Sequence, residues 1–305
     1  MIRSLTDRVE AGPHERGVAL ILVLWVLALV SALILAFVGG ADTGLRIARN
    51  DDAIARAQAL AESGVTLAVL GLTDPGTATR WQADGSVHRV SYDGGSIEIR
   101  TEDENGKIDL NVAPPELFIG LFRALGANDA SATAIAAAII NWRSGGGTTP
   151  TDAATIPPDA GAAPMPRQFF DVGELAQIPG ISRELYQRAA PFLTVYSFSP
   201  YINPMTAPAE VLRSLPGVNE AAIESFLASR TGSNGDPATA SQVPAAGDIA
   251  VAPLSTVMIT ARAQSASGAR FTREAVVSLA ASPNAPFTVL AWGQPRSVTV
   301  VASNP

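Results

Sequence analysis

Cysteine is absent from this 305-residue sequence, and histidine occurs only at His14 and His88. The lack of cysteine excludes disulfide bonds, thiolate metal sites and cysteine nucleophiles. The chain also lacks the G-x-S-x-G motif of serine hydrolases and any phosphate-binding loop that ends in Gly-Lys-Ser or Gly-Lys-Thr. Because no motif for catalysis is present, we predict a protein that is not an enzyme.

Positive charge is also scarce in the sequence. The chain has 21 lysines and arginines against 28 aspartates and glutamates, which gives a formal charge of −7. An acidic chain gains no counterion-release energy from a phosphate backbone, so we expect no nucleic-acid partner. The length suffices for two modest hydrophobic cores, and two domains are therefore the starting expectation.

One uncharged segment stands out near the N-terminus. Residues 18–38 are 21 residues without a charged side chain, and Ser31 is their single clearly polar residue. As an α-helix they measure about 31 Å, close to the hydrocarbon thickness of a bilayer. A buried core helix of this length would carry a polar stripe. We therefore expect one transmembrane helix at residues 18–38.

A cleaved secretory signal peptide is the main alternative for this segment. Such a peptide has a shorter apolar core followed by a small-x-small cleavage site, which residues 36–41 match only loosely. The polar residues 1–17 instead end at Gly17, directly before the apolar stretch begins at Val18. This boundary favours a short leader followed by a helix that stays in the protein.

The boundary resembles that of the type IV pilin-like proteins, whose prepilin peptidase cleaves after a glycine on the cytoplasmic side. The resemblance implies cleavage between Gly17 and Val18, followed by N-methylation of the new N-terminus. In most members the fifth mature residue is a glutamate that neutralises the terminal amine of a neighbouring subunit. Here that residue is Leu22. The K-type minor pseudopilin of the type II secretion system is similar in lacking this glutamate, which fits a position at the filament tip.

The same resemblance implies that the apolar helix packs against partner helices in the membrane. We expect Leu20, Leu24 and Leu27 to make these contacts. After the membrane segment, residues 41–72 predict a continued amphipathic helix that Asp74-Pro75-Gly76 ends. Apolar residues recur along it every seven positions, at Ile47, Ile54, Ala61 and Ala68.

Alternating apolar and polar residues predict β-strands in two separate regions. The first covers residues 88–111, with turns at Gly94-Gly95 and Asn105-Gly106, and the second follows residue 250 and ends with a strand at 297–302. In the first region we expect Glu102 and Glu104 to share one solvated strand face. Helical patterns and Pro/Gly-rich loops lie between the regions. The expected fold is thus α+β: a pilin-like long helix and an antiparallel sheet, interrupted by an inserted α-helical domain.

Two segments of this insert repeat one pattern. Residues 173–193 and 209–229 both place Ile/Leu-Pro-Gly-Ile/Val before an apolar-periodic helix, as in helix-hairpin-helix units. DNA-binding versions carry a second glycine that lets backbone amides approach a phosphate, and Ser182 and Asn219 occupy those positions here. Structural helix pairing and DNA binding by a bitopic membrane protein both remain open. A tip protein of a related filament system is a third candidate.

Four further segments resemble the K-type minor pseudopilin, in the same order: residues 103–111, 138–143, 169–181 and 202–218. The resemblance implies a leader at 1–17, a transmembrane helix at 18–38, a pilin-like head at 39–111 and 249–305, and an inserted α-helical domain at 112–248. It also implies a single-pass protein of the bacterial inner membrane with its C-terminal body in the periplasm. The implied partners are the I- and J-type minor pseudopilins, the prepilin peptidase and the lipid bilayer.

Calcium is the one metal that the resemblance implies, because it is associated with the inserted domain of the family. Family members follow the tryptophan helix with an aspartate-rich loop, but here only Asp152 and Asp159 follow Trp142 before Pro166. The acidic run at 101–106 also fails as a calcium loop, since Thr101 and Val112 replace its first and last carboxylates. We expect a flexible linker after Trp142 and no metal or other cofactor.

Overall fold

A computed structural model describes residues 13–76, 79–145, 167–232, 247–279 and 285–293. Its α-helices are α1 (Pro13–Leu72), α2 (Pro115–Ala124), α3 (Asp129–Arg143), α4 (Arg183–Ala189), α5 (Ala209–Arg213) and α6 (Glu220–Gly232). Its strands are β1 (Asp84–Tyr92), β2 (Gly95–Asp103), β3 (Ile108–Asp109), β4 (Leu193–Thr194), β5 (Thr256–Gln264), β6 (Arg270–Ser278) and β7 (Thr288–Gly293). The strand predicted at 297–302 lies outside the described residues, as do Asp152 and Asp159.

Helix α1 is 60 residues long and contributes to two compact units, residues 1–56 and residues 57–305. In the first unit, the large apolar side chains described between Val18 and Leu35 are all exposed, with exposed fractions from 49% to 74%. In the second unit, Ala57, Ala61 and Ala68 of α1 are fully buried. Among the side chains of α1 that the structure describes, the large apolar ones up to Leu35 are thus exposed, and several of those in its C-terminal part belong to a hydrophobic core.

Five strands form one antiparallel sheet in the order β1-β2-β5-β6-β7. Strands β2 and β5 pair although the helices α2 to α6 separate them in the sequence, with Ile97 opposite Ala263 and Ile99 opposite Ala261. Alternation buries these residues on the face that packs against α1. Gly64 allows the close approach, since a Cβ at this position would lie 2.8 Å from Ile97 Cγ2.

Helices α2 to α6 surround a second hydrophobic core. Four side chains of α2 are fully buried in it, namely Leu117, Phe118, Leu121 and Phe122. Ile139 of α3 and Leu212 of α5 complete its centre. The combination of a long helix, an antiparallel sheet and further helices confirms the mixed architecture predicted from the sequence.

The hairpin predicted at Asn105-Gly106 is wrong. Residues Glu104–Gly106 form a 3-10 turn, because the Asp103 carboxylate accepts a hydrogen bond from the backbone N–H of Asn105. Strand β3 then leaves the sheet and pairs in parallel with β4. Glu104 is only 1% exposed, so the expectation of a solvated strand face fails there too. The β1–β2 turn is a true hairpin, but it lies one residue earlier than predicted, with positive φ at Asp93 and Gly94.

Candidate assembly surface and the junction that supports the body

The candidate assembly surface is the exposed apolar part of α1. Two stretches of this helix are apolar, Leu20–Leu35 and Gly44–Leu72. The second is long and apolar enough to cross a membrane, with a mean hydropathy of 1.2, but 39% of its most apolar window is buried inside the protein. There Leu60, Val65 and Val69 pack against the sheet. These contacts cover part of the Gly44–Leu72 stretch. The uncharged and exposed Leu20–Leu35 stretch is therefore better suited to contact lipid.

The three leucines predicted to contact partner helices share one face of α1. Leu20, Leu24 and Leu27 follow the i, i+4, i+7 spacing, and each is more than 60% exposed. Leu22 is equally exposed, but at about 100° per residue it lies on the opposite face. The predicted cleavage position, between Gly17 and Val18, lies within α1, which begins at Pro13. The backbone thus separates the leucine face from Leu22, and the two can be altered independently.

A buried polar junction connects the sheet to the helical core, and its centre is Asp103 at the end of β2. The Asp103 carboxylate accepts hydrogen bonds from the backbone N–H and Nδ2 of Asn105 at 2.9 and 3.1 Å. It also accepts hydrogen bonds from Asn203 Nδ2 and Thr206 Oγ1, both at 2.9 Å. Burial raises the pKa of Asp103, although these hydrogen bonds oppose the effect.

Lys107 forms the second part of the junction. Its Nζ lies 2.7 Å from Glu104 Oε1 and 3.2 Å from Glu102 Oε2. The other Glu104 oxygen accepts a hydrogen bond from Thr194 Oγ1 of β4. Burial alone would lower the pKa of Lys107, but the two carboxylates outweigh it and the pKa is raised. The ion pair therefore binds the turn after β2 to the short parallel ladder.

Asp109 forms the third part, at the end of β3. One carboxylate oxygen accepts hydrogen bonds from Ser197 Oγ at 3.1 Å and from the backbone N–H of Phe198 at 2.9 Å. The other oxygen accepts a hydrogen bond from the backbone N–H of Asn111. Burial raises the pKa of Asp109, and these hydrogen bonds oppose it. Together they hold Phe198 at a φ of 49°, which is uncommon for residues other than glycine.

Sequence reasoning missed this junction, although it singled out residues 103–111 as a family-like segment. Charged residues between two turn signals predicted a solvated hairpin. No local sequence pattern indicated that residues between 194 and 206 would contact these charged side chains. The signal that could have found part of it is the Asp-x-Asn spacing. Asp103 with Asn105 and Asp109 with Asn111 each form the side-chain turn that aspartate makes with the backbone two residues on.

The two hairpin-like segments place their glycines at equivalent turns. Gly180 and Gly217 both have positive φ, 89° and 75°. The next helix in each case starts with a side-chain cap, since Ser182 Oγ accepts from the N–H of Leu185 and Asn219 Oδ1 accepts from the N–H of Ala222. The first hairpin-like segment differs from the predicted helix-hairpin-helix pattern, because its leading element is a 3-10 helix, Val172–Gln177. The residues that replace the phosphate-contacting glycines are thus helix caps.

Three arginines of these hairpins contact the protein itself. Arg213 Nη2 lies 2.6 Å from Glu220 Oε1, and Arg188 Nη1 donates to the carbonyl oxygen of Leu125. Arg230 Nη1 donates to the carbonyl oxygens of Pro204 and Ala207 at 2.9 and 2.7 Å. These intramolecular contacts weigh against the alternative in which the hairpins bind a phosphate backbone, where such cations would have to face outward.

The structure also places the remaining residues that sequence reasoning considered for chemistry. The His88 ring stacks on Trp81 with centroids 3.8 Å apart, and its Nε2 lies 3.5 Å from Ser86 Oγ. That separation exceeds the roughly 2.6–3.2 Å of a nucleophile–base pair. Within the described ranges, no group of three or more His, Asp or Glu side chains could hold a metal ion.

The region after Trp142 does not fit a calcium ion in its described part. The groups there are the guanidinium groups of Arg143 and Arg167 and the indole N–H of Trp142, whose Nε1 is buried without a hydrogen-bond partner. Calcium requires six to eight oxygen ligands, several of them charged. Cations and N–H donors repel such an ion, so these described residues do not form a calcium site.

Comparison with known proteins identifies a protein family and a similar solved structure. Residues 98–198 match the family model for protein K of the type II secretion system. A chain in the crystal structure of the GspK-GspI-GspJ complex from the enterotoxigenic Escherichia coli type 2 secretion system matches over 84% of this chain and 99% of its own length, with a TM-score of 0.51 and 16% identity. No curated protein matches the sequence.

The family match covers the junction residues Asp103, Lys107 and Asp109, and the structural match shows that the fold as a whole is shared. The family is a structural component of a secretion system, in agreement with the lack of catalytic motifs. The resemblance found in the sequence is confirmed: this chain matches the protein K model of type II secretion over residues 98–198 and has the fold of a chain in the GspK-GspI-GspJ complex, as expected of a K-type minor pseudopilin.

Proposed function

We propose that this protein is the minor pseudopilin at the tip of a type II secretion pseudopilus and that it initiates assembly of that filament with I- and J-type minor pseudopilins. In this proposal prepilin peptidase removes residues 1–17, and the new N-terminus is methylated. The helix from Val18 then anchors the protein in the inner membrane, with its body in the periplasm. Assembly of this filament supports protein export across the outer membrane.

The observation that carries the proposal is the uncharged, exposed helix with Leu22 at its fifth mature position. An ionised side chain at the centre of a membrane helix costs about 2.5–3.5 kcal/mol unless it is paired. In most type IV pilin-like proteins a glutamate at this position is paired with the terminal amine of a neighbouring subunit. Because leucine offers no charge to such an amine, the proposal places this chain where it needs no partner above it.

The head supports the same position in the filament. Helices α2 to α6 add a second core to the sheet, and the buried junction at Asp103, Lys107 and Asp109 connects that core to the sheet. A bulky, firmly attached domain would hinder the addition of a further subunit above this one. The similar solved structure contains GspI and GspJ beside GspK, which supports partners of these two types.

The leucine face provides the test of partner contact. Full-length chain and candidate I- and J-type subunits are produced together, and the complex is captured from detergent-solubilised membranes. Replacing Leu20, Leu24 and Leu27 by alanine should reduce the captured partners severalfold, because packing between membrane helices depends on close side-chain contact. The helix remains apolar and should still enter the membrane.

A matched control exists on the opposite face of the helix. Replacing Leu22, Val26 and Leu29 by alanine removes the same number of large side chains with the same i, i+4, i+7 spacing. This variant should capture the partners as the unaltered chain does. Equal capture by both variants, or equal loss in both, would contradict a specific leucine face.

DNA binding is tested separately by filter binding of the full-length protein to duplex DNA at several salt concentrations. We expect no salt-sensitive retention, since Arg188, Arg213 and Arg230 contact the protein itself. Micromolar or tighter binding that weakens steeply with salt would favour the rival function.

A further inference from the structure

The segment that follows α3 begins and ends at neighbouring positions in the structure. The backbone N–H of Arg167 donates a hydrogen bond of 3.0 Å to the carbonyl oxygen of Arg143. The Arg167 guanidinium carbon lies 4.1 Å from the ring centroid of Trp142, the residue before Arg143. This distance is within the roughly 6 Å range of a cation–π interaction, and tryptophan is the best aromatic partner for it. Arg167, which directly follows the segment, thus contacts Trp142 and Arg143, which directly precede it.

Phe169 extends this contact into the hydrophobic core. Its buried ring stacks on Trp142 with centroids 6.1 Å apart. Its backbone forms two hydrogen bonds with the side chain of Asn111: the Phe169 N–H donates to Oδ1 at 2.7 Å, and Asn111 Nδ2 donates to the Phe169 carbonyl at 3.0 Å. Trp142, Arg167 and Phe169 with Asn111 form what we term the Trp142 clamp.

The chemistry of the clamp is opposite to that of a calcium site. Arg167 supplies a positive charge, and Arg143 Nη1 donates to the carbonyl oxygen of Ala113 at 2.8 Å. A carbonyl oxygen of this kind is a typical calcium ligand, but here an arginine already occupies it. Between Arg143 and Arg167 the sequence offers two carboxylates, Asp152 and Asp159.

We propose that the Arg167 guanidinium, stacked on Trp142, joins the two ends of the 144–166 segment in place of the divalent cation that the family resemblance implies. A fixed cation supplied by the chain replaces a bound one. The helical core of this protein therefore keeps its stability in the absence of calcium, independently of its position in a filament.

Thermal unfolding of the full-length protein in detergent tests this inference, with calcium chloride in one sample and a calcium chelator in the other. The unfolding midpoint of the unaltered chain should be the same in both. Arg167→Ala should lower the midpoint by about 2–4 °C, which is the shift that loss of one moderate contact gives in a protein of this size. The decrease should be equal with calcium and with the chelator.

Two further variants separate the clamp from a general charge effect. Arg167→Lys keeps the charge but not the planar stack, and it should lower the midpoint by less than Arg167→Ala does. Arg183→Ala removes an exposed arginine from the first turn of α4 and should not lower the midpoint. A midpoint that rises with calcium in the unaltered chain would overturn the inference. So would equal midpoints for Arg167→Ala and Arg183→Ala.

Discussion

Asp103 accepts four hydrogen bonds from Asn105, Asn203 and Thr206, and it does so in a buried position. Removal of a buried acceptor leaves its donors without partners, and each unsatisfied buried group costs about 1–3 kcal/mol. Asp103→Ala should therefore lower the free energy of unfolding by roughly 3 kcal/mol or more. Chemical denaturation followed by tryptophan fluorescence measures the difference.

Two substitutions serve as controls for Asp103→Ala. Asp103→Asn keeps one oxygen acceptor and removes the buried charge whose cost raises the pKa, so it should be less destabilising than alanine. Asp93→Asn changes an exposed carboxyl in the β1–β2 turn and should shift stability by less than about 0.5 kcal/mol. If Asp103→Ala is as stable as Asp93→Asn, the junction does not hold the sheet and the helical core together.

Lys107 is the only lysine in the sequence, and it is buried between Glu102 and Glu104. Its pKa is raised in the folded protein, so the folded state retains this proton to a higher pH than the unfolded chain does. Its contribution to stability is fully present below the unfolded pKa of about 10.4 and is lost as the pH rises through the folded value. Lys107→Met should be less stable by about 3–5 kcal/mol at pH 9.

The pH dependence of that difference is the decisive observation for Lys107. The gap in unfolding free energy between the unaltered chain and Lys107→Met should narrow as the pH rises above about 10.4. Urea denaturation at pH 9, 10, 11 and 11.5 measures it. A gap that stays constant over this range would show that Lys107 stabilises the protein by packing alone.

At the level of elements, helix α2 lies unusually close to the chain that follows α5. A Cβ on Gly120 would lie 2.0 Å from the carbonyl oxygen of Ser214, an atom of the backbone that cannot rotate away. Gly120→Ala should therefore separate α2 from α5 and lower the unfolding free energy by at least about 1–3 kcal/mol. Thermal or chemical denaturation measures this.

Gly44→Ala is the matched control for Gly120→Ala. Gly44 also lies inside a helix, but a Cβ added there would meet nothing within 4 Å. Because alanine restricts the unfolded chain more than glycine does, this variant should be neutral or more stable by about 0.5–1 kcal/mol. A loss of stability in Gly44→Ala as large as that in Gly120→Ala would contradict the backbone contact.

Elements with a strong local pattern could be predicted from the sequence, and elements made by distant contacts could not. The long apolar and alanine-rich run gave α1, and alternation gave β1, β2, β5 and β6. The predicted hairpin between β2 and β3 was wrong, because β3 pairs with β4, which lies far along the chain. The Asp103 side chain also turns the backbone at Asn105. Asn-Gly indicates a hairpin only when both residues take positive φ, and neither Asn105 nor Gly106 does.

The candidate site divides in the same way. An uninterrupted apolar run in the sequence predicts the roles of Gly17, Val18, Leu22 and the leucine face. The fold is compatible with these roles, which remain predictions. The buried carboxylates and Lys107 were not predictable, because polar side chains with distant partners resemble solvated ones in a sequence. For the same reason the contact between Arg167 and Trp142 could not be predicted, since these residues are 25 positions apart in the sequence.

For the whole molecule, one sheet is assembled from two distant parts of the chain, with the helical core between them in sequence. The domain boundaries at residues 112 and 248 remain predictions. The match to a GspK-GspI-GspJ chain at 16% identity shows that this arrangement persists when most side chains differ. The shared property is therefore the arrangement of helices and strands.

The N-terminal residue of the mature protein tests the role of α1 most directly. The full-length chain is produced with and without a prepilin peptidase, and the membrane and soluble fractions are examined by N-terminal sequencing and intact mass. With the peptidase, the protein should be found in the membrane fraction and begin at Val18. A soluble protein that begins after the apolar stretch, near residue 41, would contradict a helix that stays in the protein and anchors it.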